Sequence, residues 1–251
     1  MLPEDKEMND KVDVIVLEAD GKINQKDGYG FLIKKRLSEY KIQAEIISLV
    51  DNSNTLESLP PKPLIISGGM TEVTSEVDWV IETKEFIKKK IVLNQKLTLN
   101  DTNPILGICF GAQLIAESYD KGSVHYLEDP EVGVSRIKLD ISNHPLFTGF
   151  KPLFDVYTFH YNQIKSEKLL QISTADFKGN QFVQAFEIPE TSIFGTQYHP
   201  EFKFNEMSQL LKIYKPLINE LGLDIEKIIN TLPEIPHNAQ ILKNFVEISN
   251  S

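Results

Sequence analysis

The stretch Leu106-Gly107-Ile108-Cys109-Phe110-Gly111-Ala112-Gln113 decides the fold of this chain. It joins a short apolar run, Pro104 to Ile108, to a segment with a helical pattern, Phe110 to Tyr119. A nucleophile between a strand and a helix, with glycine two residues before and two after, indicates a strand–turn–helix elbow. Such an elbow lies at the carboxyl end of a sheet, where open α/β folds bind ligands. The sequence therefore predicts that Cys109 is a nucleophile rather than a buried structural cysteine.

Strand and helix patterns alternate on the amino-terminal side of this elbow. The predicted elements are strands at Val12 to Leu17, Ala44 to Val50, Pro63 to Ile66 and Pro104 to Ile108, with helices at Gly28 to Tyr40 and Val77 to Ile87. This alternation predicts βαβ units in a mostly parallel sheet with helices on both faces. Strand-like runs follow at Ser135–Asp140, Asp155–Phe159, Leu169–Ile172, Phe182–Ile188 and Ile193–Tyr198. Because we find no internal repeat and no linker, we expect a single domain over residues 1–251.

A histidine that could serve as the base lies in Gln197-Tyr198-His199-Pro200-Glu201-Phe202. Proline biases the preceding residue toward an extended backbone, and residues two apart in an extended segment point to the same face. His199 and Glu201 are thus predicted to lie side by side. This is the arrangement of a base and the carboxylate that fixes its tautomer, although a surface turn would share the pattern.

A glycine pair, Ser67-Gly68-Gly69-Met70, follows the apolar run Pro63 to Ile66. Glycine allows a backbone N–H to approach a substrate carbonyl closely. We therefore predict an oxyanion hole made by the amides of Gly69 and Phe110. An ordinary Gly-Gly turn is the alternative.

Composition limits the remaining function classes. The 251 residues carry 36 acidic and 26 basic side chains and a formal charge of −10, which argues against nucleic acid as a partner. The single cysteine excludes an intrachain disulfide. Met1 to Asp10 lacks an apolar signal region, and no apolar run reaches the length of a membrane span. We expect a cytoplasmic protein without a membrane partner.

The order and spacing of these motifs resemble the class I glutamine amidotransferases over roughly Val12 to Phe202. Asp78-Trp79 and the Cys-Phe-Gly form of the elbow are most similar to the stand-alone GMP-synthase-like and γ-glutamyl peptidase branch. The resemblance implies a flavodoxin-like open sheet, a Cys109–His199–Glu201 triad and glutamine or a γ-glutamyl amide as substrate. It implies no cofactor and no metal.

The resemblance also implies a substrate cradle, which we place at Gly68, Gly69, Gln113, His160 and Tyr161. Two positions depart from the family pattern. Met70 follows the loop glycines where proline is common, and Tyr161 stands where glycine is common, which changes the expected shape of the pocket. Among the remaining motifs, Glu131-Val132-Gly133 matches a family element that we interpret as structural, and we interpret His125, His144 and His237 as structural or exposed.

Residues 203–238 form a helical insert before a closing helix at Ile241–Ile248. Apolar residues repeat at helical spacing from Met207 to Leu221, Gly222 ends the run, and a second short helix is predicted over Asp224 to Leu232. The stripe indicates core packing, with a lid or a partner surface as the alternative. Three functions remain open: an amidotransferase that passes ammonia to a separate synthetase, a γ-glutamyl peptidase acting alone, and a catalytically silent regulatory subunit.

Overall fold

The computed structural model describes residues 12–23, 27–96, 103–236 and 238–249, and a nine-stranded sheet forms its centre. The strands are β1 (Val14–Glu18), β2 (Ala44–Ser48), β3 (Leu64–Ile66), β4 (Ile105–Ile108), β5 (Val124–Leu139), β6 (Leu153–Ile164), β7 (Leu170–Phe177), β8 (Asn180–Glu187) and β9 (Ile193–Thr196). Their spatial order is β2-β1-β3-β4-β9-β8-β7-β5-β6. The four neighbouring pairs among β2, β1, β3, β4 and β9 are parallel. The four pairs among β9, β8, β7, β5 and β6 are antiparallel.

Helices pack on both faces of the parallel half of the sheet, and three more lie in the insert. They are α1 (Tyr29–Glu39), α2 (Leu49–Asn52), α3 (Asp78–Asn94), α4 (Phe110–Tyr119), α5 (Phe204–Ile213), α6 (Lys215–Glu220), α7 (Ile225–Thr231) and α8 (Gln240–Ile248). Short 3-10 turns occupy Ser53–Ser58 and Pro145–Phe147. Within the described ranges, no helix is long and apolar enough to cross a membrane.

The alternation of side chains along β1 shows why two separate cores form. Ile15 and Leu17 point into one cluster, beneath α3 and α4, whereas Val14 and Val16 point into the other, beneath α1 and α8. Because all four side chains are fully buried, the strand must be apolar on both faces. The predicted flavodoxin-like α/β sheet with helices on both faces is confirmed.

The sheet changes from parallel to antiparallel at β9, and this change positions the candidate site. Strand β9 pairs in parallel with β4, Gly107 lying opposite Gly195, and antiparallel with β8. The segments that follow β4 and β9 therefore leave the same edge of the sheet side by side. The first contains Cys109 and the second contains His199.

Several predicted strands differ in length from the observed ones, among them Asp155–Phe159, observed as Leu153–Ile164, and Leu169–Ile172, observed as Leu170–Phe177. Two further differences have local reasons. Strand β2 ends at Ser48 rather than Val50, because the Ser48 hydroxyl accepts a hydrogen bond from the Asp51 amide and caps the helical turn α2. Strand β5 begins at Val124 rather than Ser135 and pairs with β6 along this extension. That extension is polar and partly exposed, so it lacks the apolar signal by which strands are recognised.

The insert packs on the body through its apolar stripe. Met207, Leu210 and Leu211 are fully buried, in a cluster that also contains Tyr29 and Phe202. The predicted continuous run from Met207 to Leu221 is broken at Tyr214, where α5 ends and α6 begins with a proline in its first turn.

An ion pair also joins the insert to α1. The buried guanidinium of Arg36 lies 2.7 Å from the carboxylate of Glu206. Lys35 lies at the same distance from that carboxylate. The charged face of α5 is therefore fixed to the body as well as its apolar face.

We expect Leu210→Ala to lower the free energy of unfolding by about 2–5 kcal/mol, because a fully buried leucine leaves a cavity when it is truncated. Leu221→Ala is the matched control, since Leu221 is 40% exposed and its loss should change stability by less than about 0.5 kcal/mol. Urea denaturation of both variants measures the difference. Equal effects would contradict the packed arrangement of the insert.

Candidate active site

Cys109 occupies a sharp turn between β4 and α4. Its backbone has φ 50° and ψ −103°, a conformation that side-chain-bearing residues rarely adopt. The Cys109 amide donates to the Thr196 carbonyl at 2.7 Å, which ties the turn to β9. A Cβ atom at Gly107 would lie 2.4 Å from the backbone of Gly111. The close approach of helix and strand thus requires glycine at this position.

His199 and Glu201 form a buried pair beside this turn. Nδ1 of His199 lies 2.7 Å from Oε1 of Glu201, and the two side chains are 1% and 0% exposed. The backbone amide of His199 donates to the Tyr157 carbonyl at 2.9 Å, which fixes the segment against β6. The structure thus brings the two side chains together as their spacing predicts.

The charge of His199 depends on three competing effects. Burial acts to lower the pKa of His199, because the interior disfavours a charge. The Glu201 carboxylate and the Cys109 sulfur act in the opposite direction and outweigh burial, which raises the pKa of His199 from 6.5 to about 10. The raised pKa of His199 favours its imidazolium form at neutral pH. Its positive charge stabilises negative charge on the neighbouring sulfur.

Polar groups surround the sulfur of Cys109 on its other sides. The side-chain amide of Gln197 donates to Sγ at 3.7 Å, and the Phe159 carbonyl lies 3.9 Å from Sγ. Gln113, a predicted substrate-binding residue, donates from Nε2 to the side-chain oxygen of Gln197 at 3.3 Å. Gln113 is therefore connected to the sulfur through one intermediate side chain.

The glycine loop lies between His199 and the amino terminus of α4. A Cβ atom at Gly68 would lie 3.0 Å from Cε1 of His199, and one at Gly69 would lie 3.2 Å from the Phe110 ring. Any larger residue would displace these side chains. The loop, the base and the elbow thus meet at one point, which is where the predicted oxyanion donors are needed.

The predicted cradle forms a small pocket next to Cys109. Its lining includes Gly69, Gln113, His160 and Tyr161, and its volume is about 30 Å³. Gly68 is outside this lining and lies against His199. Small-molecule sites usually measure roughly 300–1,000 Å³, so this pocket is much smaller than a usual ligand site. A much larger groove of about 1110 Å³ lies elsewhere, between the β5–β6 and β7–β8 ribbons, and contains no predicted site residue.

One residue of the pocket lining, Asn162, contacts the segment after the glycine loop. The Asn162 side-chain amide donates to the Glu72 carboxylate at 3.1 Å, joining β6 to the segment after the glycine loop. Tyr161 also lines the pocket and lies beside Glu72. Burial, with a smaller contribution from Glu72, raises the pKa of the Tyr161 hydroxyl to about 12. The hydroxyl of Tyr161 is therefore a neutral group in the pocket lining.

His160 belongs to a second buried histidine–carboxylate pair. Its Nε2 lies 2.7 Å from Oε2 of Glu131, and its Nδ1 lies 2.8 Å from the Asn162 carbonyl. Ser135 and Gln184 donate to the same carboxylate. Glu131, which the sequence marks only as structural, thus holds a histidine that lines the pocket.

Tyr29 is a site neighbour that the motifs did not reveal. Its ring stacks on that of His199, with centroids 5.7 Å apart and planes 24° apart. Its hydroxyl lies 3.8 Å from the sulfur of Met70, in the glycine loop. Burial first, and then the neighbouring Tyr214, raise the pKa of Tyr29 well above its usual value. A single aromatic residue at a helix start carries no motif that would have identified it.

The other histidines lie away from this site. His144 is buried, its Nε2 lies 2.8 Å from the Glu187 carboxylate, and its Nδ1 accepts from the Leu146 amide, so it is structural. His125 lies on the exposed ribbon of β5, and His237 falls outside the described residues. Across the described part of the chain, no group of three or more His, Cys, Asp or Glu is arranged to hold a metal.

The model of the glutamine amidotransferase class-I family matches residues 22–213, which is most of the chain and contains all the site residues above. The chain belongs to this family. A solved amidotransferase from Thermotoga maritima shares the fold, with a TM-score of 0.70, 17% identity and coverage of 95% of this chain and 96% of that one.

Curated relatives that match this chain include GMP synthases. A glutamine-hydrolysing GMP synthase subunit of Methanobrevibacter smithii is 28% identical over 184 residues, which cover 71% of this chain and 84% of that protein. The glutamine-hydrolysing GMP synthase of Caldicellulosiruptor saccharolyticus is 30% identical over 237 residues, which cover 91% of this chain. The match spans only 42% of that longer synthase. The chain thus corresponds to the glutamine amidotransferase portion of such proteins.

Proposed function

We propose that the chain hydrolyses the γ-carboxamide of glutamine through a cysteinyl thioester and releases ammonia. The observation that carries this proposal is the buried His199–Glu201 pair beside the sulfur of Cys109. Cys109, His199 and Glu201 are the proposed catalytic residues. The proposed steps use side chains and backbone amides alone, without a cofactor or a metal.

In the first step, the Cys109 thiolate attacks the carboxamide carbon and forms a tetrahedral intermediate. The amides of Gly69 and Phe110 donate hydrogen bonds to its oxyanion, a contribution of roughly 3–4 kcal/mol for one donor. The imidazolium of His199 then gives its proton to the leaving nitrogen, which departs as ammonia. A γ-glutamyl thioester remains on the sulfur.

In the second step, water hydrolyses the thioester. Neutral His199 takes a proton from the water, whose oxygen attacks the thioester carbon, and the thiolate of Cys109 leaves. The products are glutamate and the free enzyme, with His199 protonated again. Glu201 holds the imidazole in place through Nδ1 in both steps, so Nε2 remains the atom that exchanges protons.

We propose that the ammonia passes to a separate synthetase protein. The Methanobrevibacter smithii relative supports this interpretation, since it is named as one subunit of a GMP synthase rather than as the whole enzyme. A γ-glutamyl peptidase acting alone is the alternative, and a silent regulatory subunit is the third. We further propose a single domain over residues 1–251, with 203–238 as its insert, in a reducing compartment such as the cytoplasm.

We expect the purified chain to hydrolyse glutamine with a higher kcat/KM than γ-glutamyl dipeptides, because the pocket beside Cys109 is small and a dipeptide carries a larger leaving group. Coupled assays of glutamate and ammonia, with and without a GMP-synthase-type synthetase, measure this. Asparagine, one methylene shorter, is the control and should react about 10- to 200-fold more slowly. Faster turnover of dipeptides would support the peptidase, and turnover of neither would support the silent subunit.

A further inference from the structure

The segment that follows β1 holds the glycine loop through one carboxylate. Oδ1 of Asp20 accepts hydrogen bonds from the amides of Met70 and Thr71, each at 3.0 Å. Oδ2 accepts from the Thr71 hydroxyl at 2.9 Å. Three donors from two consecutive residues thus converge on one side chain. Both amides lie directly after Gly69, the proposed oxyanion donor.

The other end of the loop is anchored to the same segment. The amide of Ala19 donates to the hydroxyl of Ser67 at 2.9 Å, and that hydroxyl donates to the Gly68 carbonyl at 2.8 Å. A Cβ atom at Gly69 would lie 2.9 Å from Oδ1 of Asp20, which shows how closely the carboxylate approaches the loop. Gly68 and Gly69 are therefore held from both ends by Ala19 and Asp20.

We propose that Asp20 is a positioning residue that fixes the oxyanion loop before substrate binds. This inference rests on the proposed function. Glycine-rich backbone is intrinsically mobile, and oxyanion donors stabilise a transition state only when they are already oriented. The two amide contacts prevent the peptide planes on the carboxyl side of Gly69 from rotating. Asp20 acts through this backbone and does not itself contact the substrate.

The insert contacts the segment that contains Asp20, through Lys22. The hydroxyl of Tyr214 donates to the Lys22 carbonyl at 3.2 Å and accepts from the Lys22 amide at 3.4 Å. The Tyr214 ring packs on Phe159, with centroids 5.5 Å apart. The segment from Ala19 to Ile23 therefore connects the insert to the oxyanion loop.

The benefit of Asp20 comes from geometry rather than from charge. A negative charge close to a developing oxyanion is itself unfavourable by Coulomb's law. Asparagine at this position can accept both amide donors with its oxygen and can donate to the Thr71 hydroxyl with its nitrogen. It keeps the contacts and removes the charge, which separates the two effects.

The test compares Asp20→Ala, Asp20→Asn and a matched control, Asp13→Ala. Asp13 accepts a backbone amide, that of Gln43, at the opposite end of β1 and far from the site. We expect Asp20→Ala to lower kcat for glutamine about 10- to 100-fold, with KM changed less than about threefold. Asp20→Asn should recover kcat to within about threefold of wild type, and Asp13→Ala should match wild type.

A second readout separates positioning from general damage. Alkylation of Cys109 by iodoacetamide displaces iodide from a saturated carbon and forms no oxyanion, so its rate should be unchanged in all three variants. Unchanged kcat in Asp20→Ala, increased kcat, or an alkylation rate that falls in parallel with kcat would each overturn the inference. Absence of glutamine turnover in the wild-type chain would instead refute the proposed function, so the two failures are distinguishable.

Discussion

Cys109→Ala should abolish glutamine hydrolysis, with a loss of about 10⁴-fold or more, because no other group in the proposed mechanism can form the thioester. Steady-state release of glutamate measures the loss. A thiol-directed glutamine analogue should add to the wild-type chain once and to the variant not at all, since Cys109 is the only cysteine in the sequence.

The fold should survive this substitution. Alanine is smaller than cysteine and meets the same backbone strain at φ 50°, so circular dichroism of the variant should match wild type. A folded variant that retained full activity would rule out Cys109 as the nucleophile.

Glu201→Gln should lower kcat by about 10²- to 10⁴-fold with little change in KM. The carboxylate is buried, touches His199 rather than the pocket, and holds the imidazole by its 2.7 Å contact with Nδ1. Glu187→Gln is the matched control. It alters another histidine–carboxylate contact, with His144 at 2.8 Å, away from the site, and should leave kcat unchanged.

The pH dependence of kcat/KM provides a second test of the role of Glu201. In the wild type, the raised pKa of His199, about 10, favours a charged proton donor at neutral pH, so we expect the alkaline limb of kcat/KM near that value. Glutamine at position 201 removes the main favourable charge, so the limb should move toward lower pH. Weakened substrate binding with normal turnover in Glu201→Gln would place Glu201 in the pocket instead.

The raised pKa of His199 also makes the free energy of unfolding depend on pH. Because the folded pKa of His199 exceeds its ordinary value of 6.5, folding favours the protonated form. The stabilisation is complete below pH 6.5 and is lost as pH rises toward about 10. Glu201→Gln should flatten this part of the stability profile.

Local chemistry explains which features the sequence could predict. The elbow around Cys109 is determined by neighbours two residues away, and the His199–Glu201 contact follows from the alternation of an extended backbone. Burial on both faces made β1 recognisable as a central strand. These features need no knowledge of distant parts of the chain.

The missed features depend on contacts between distant residues. Asp20 meets Thr71 across 51 positions, and Tyr29 reaches His199 only because α1 packs against the segment after β9. Glu131 shows the same limit, because its partner His160 lies on the neighbouring strand. A single sequence contains each residue but not the pairing, so these roles became visible only in the folded chain.

The small pocket beside Cys109 sets a kinetic condition on catalysis. A volume of about 30 Å³ is far below that of a usual small-molecule site, so the lining must rearrange when glutamine binds, and the contact between Asn162 and Glu72 lies beside that lining. If the open form were about a tenth of the population, the apparent affinity would be about tenfold weaker than the intrinsic affinity. A ligand that favoured the open form would remove this penalty, so turnover at low glutamine concentration would accelerate without any change to the reacting groups.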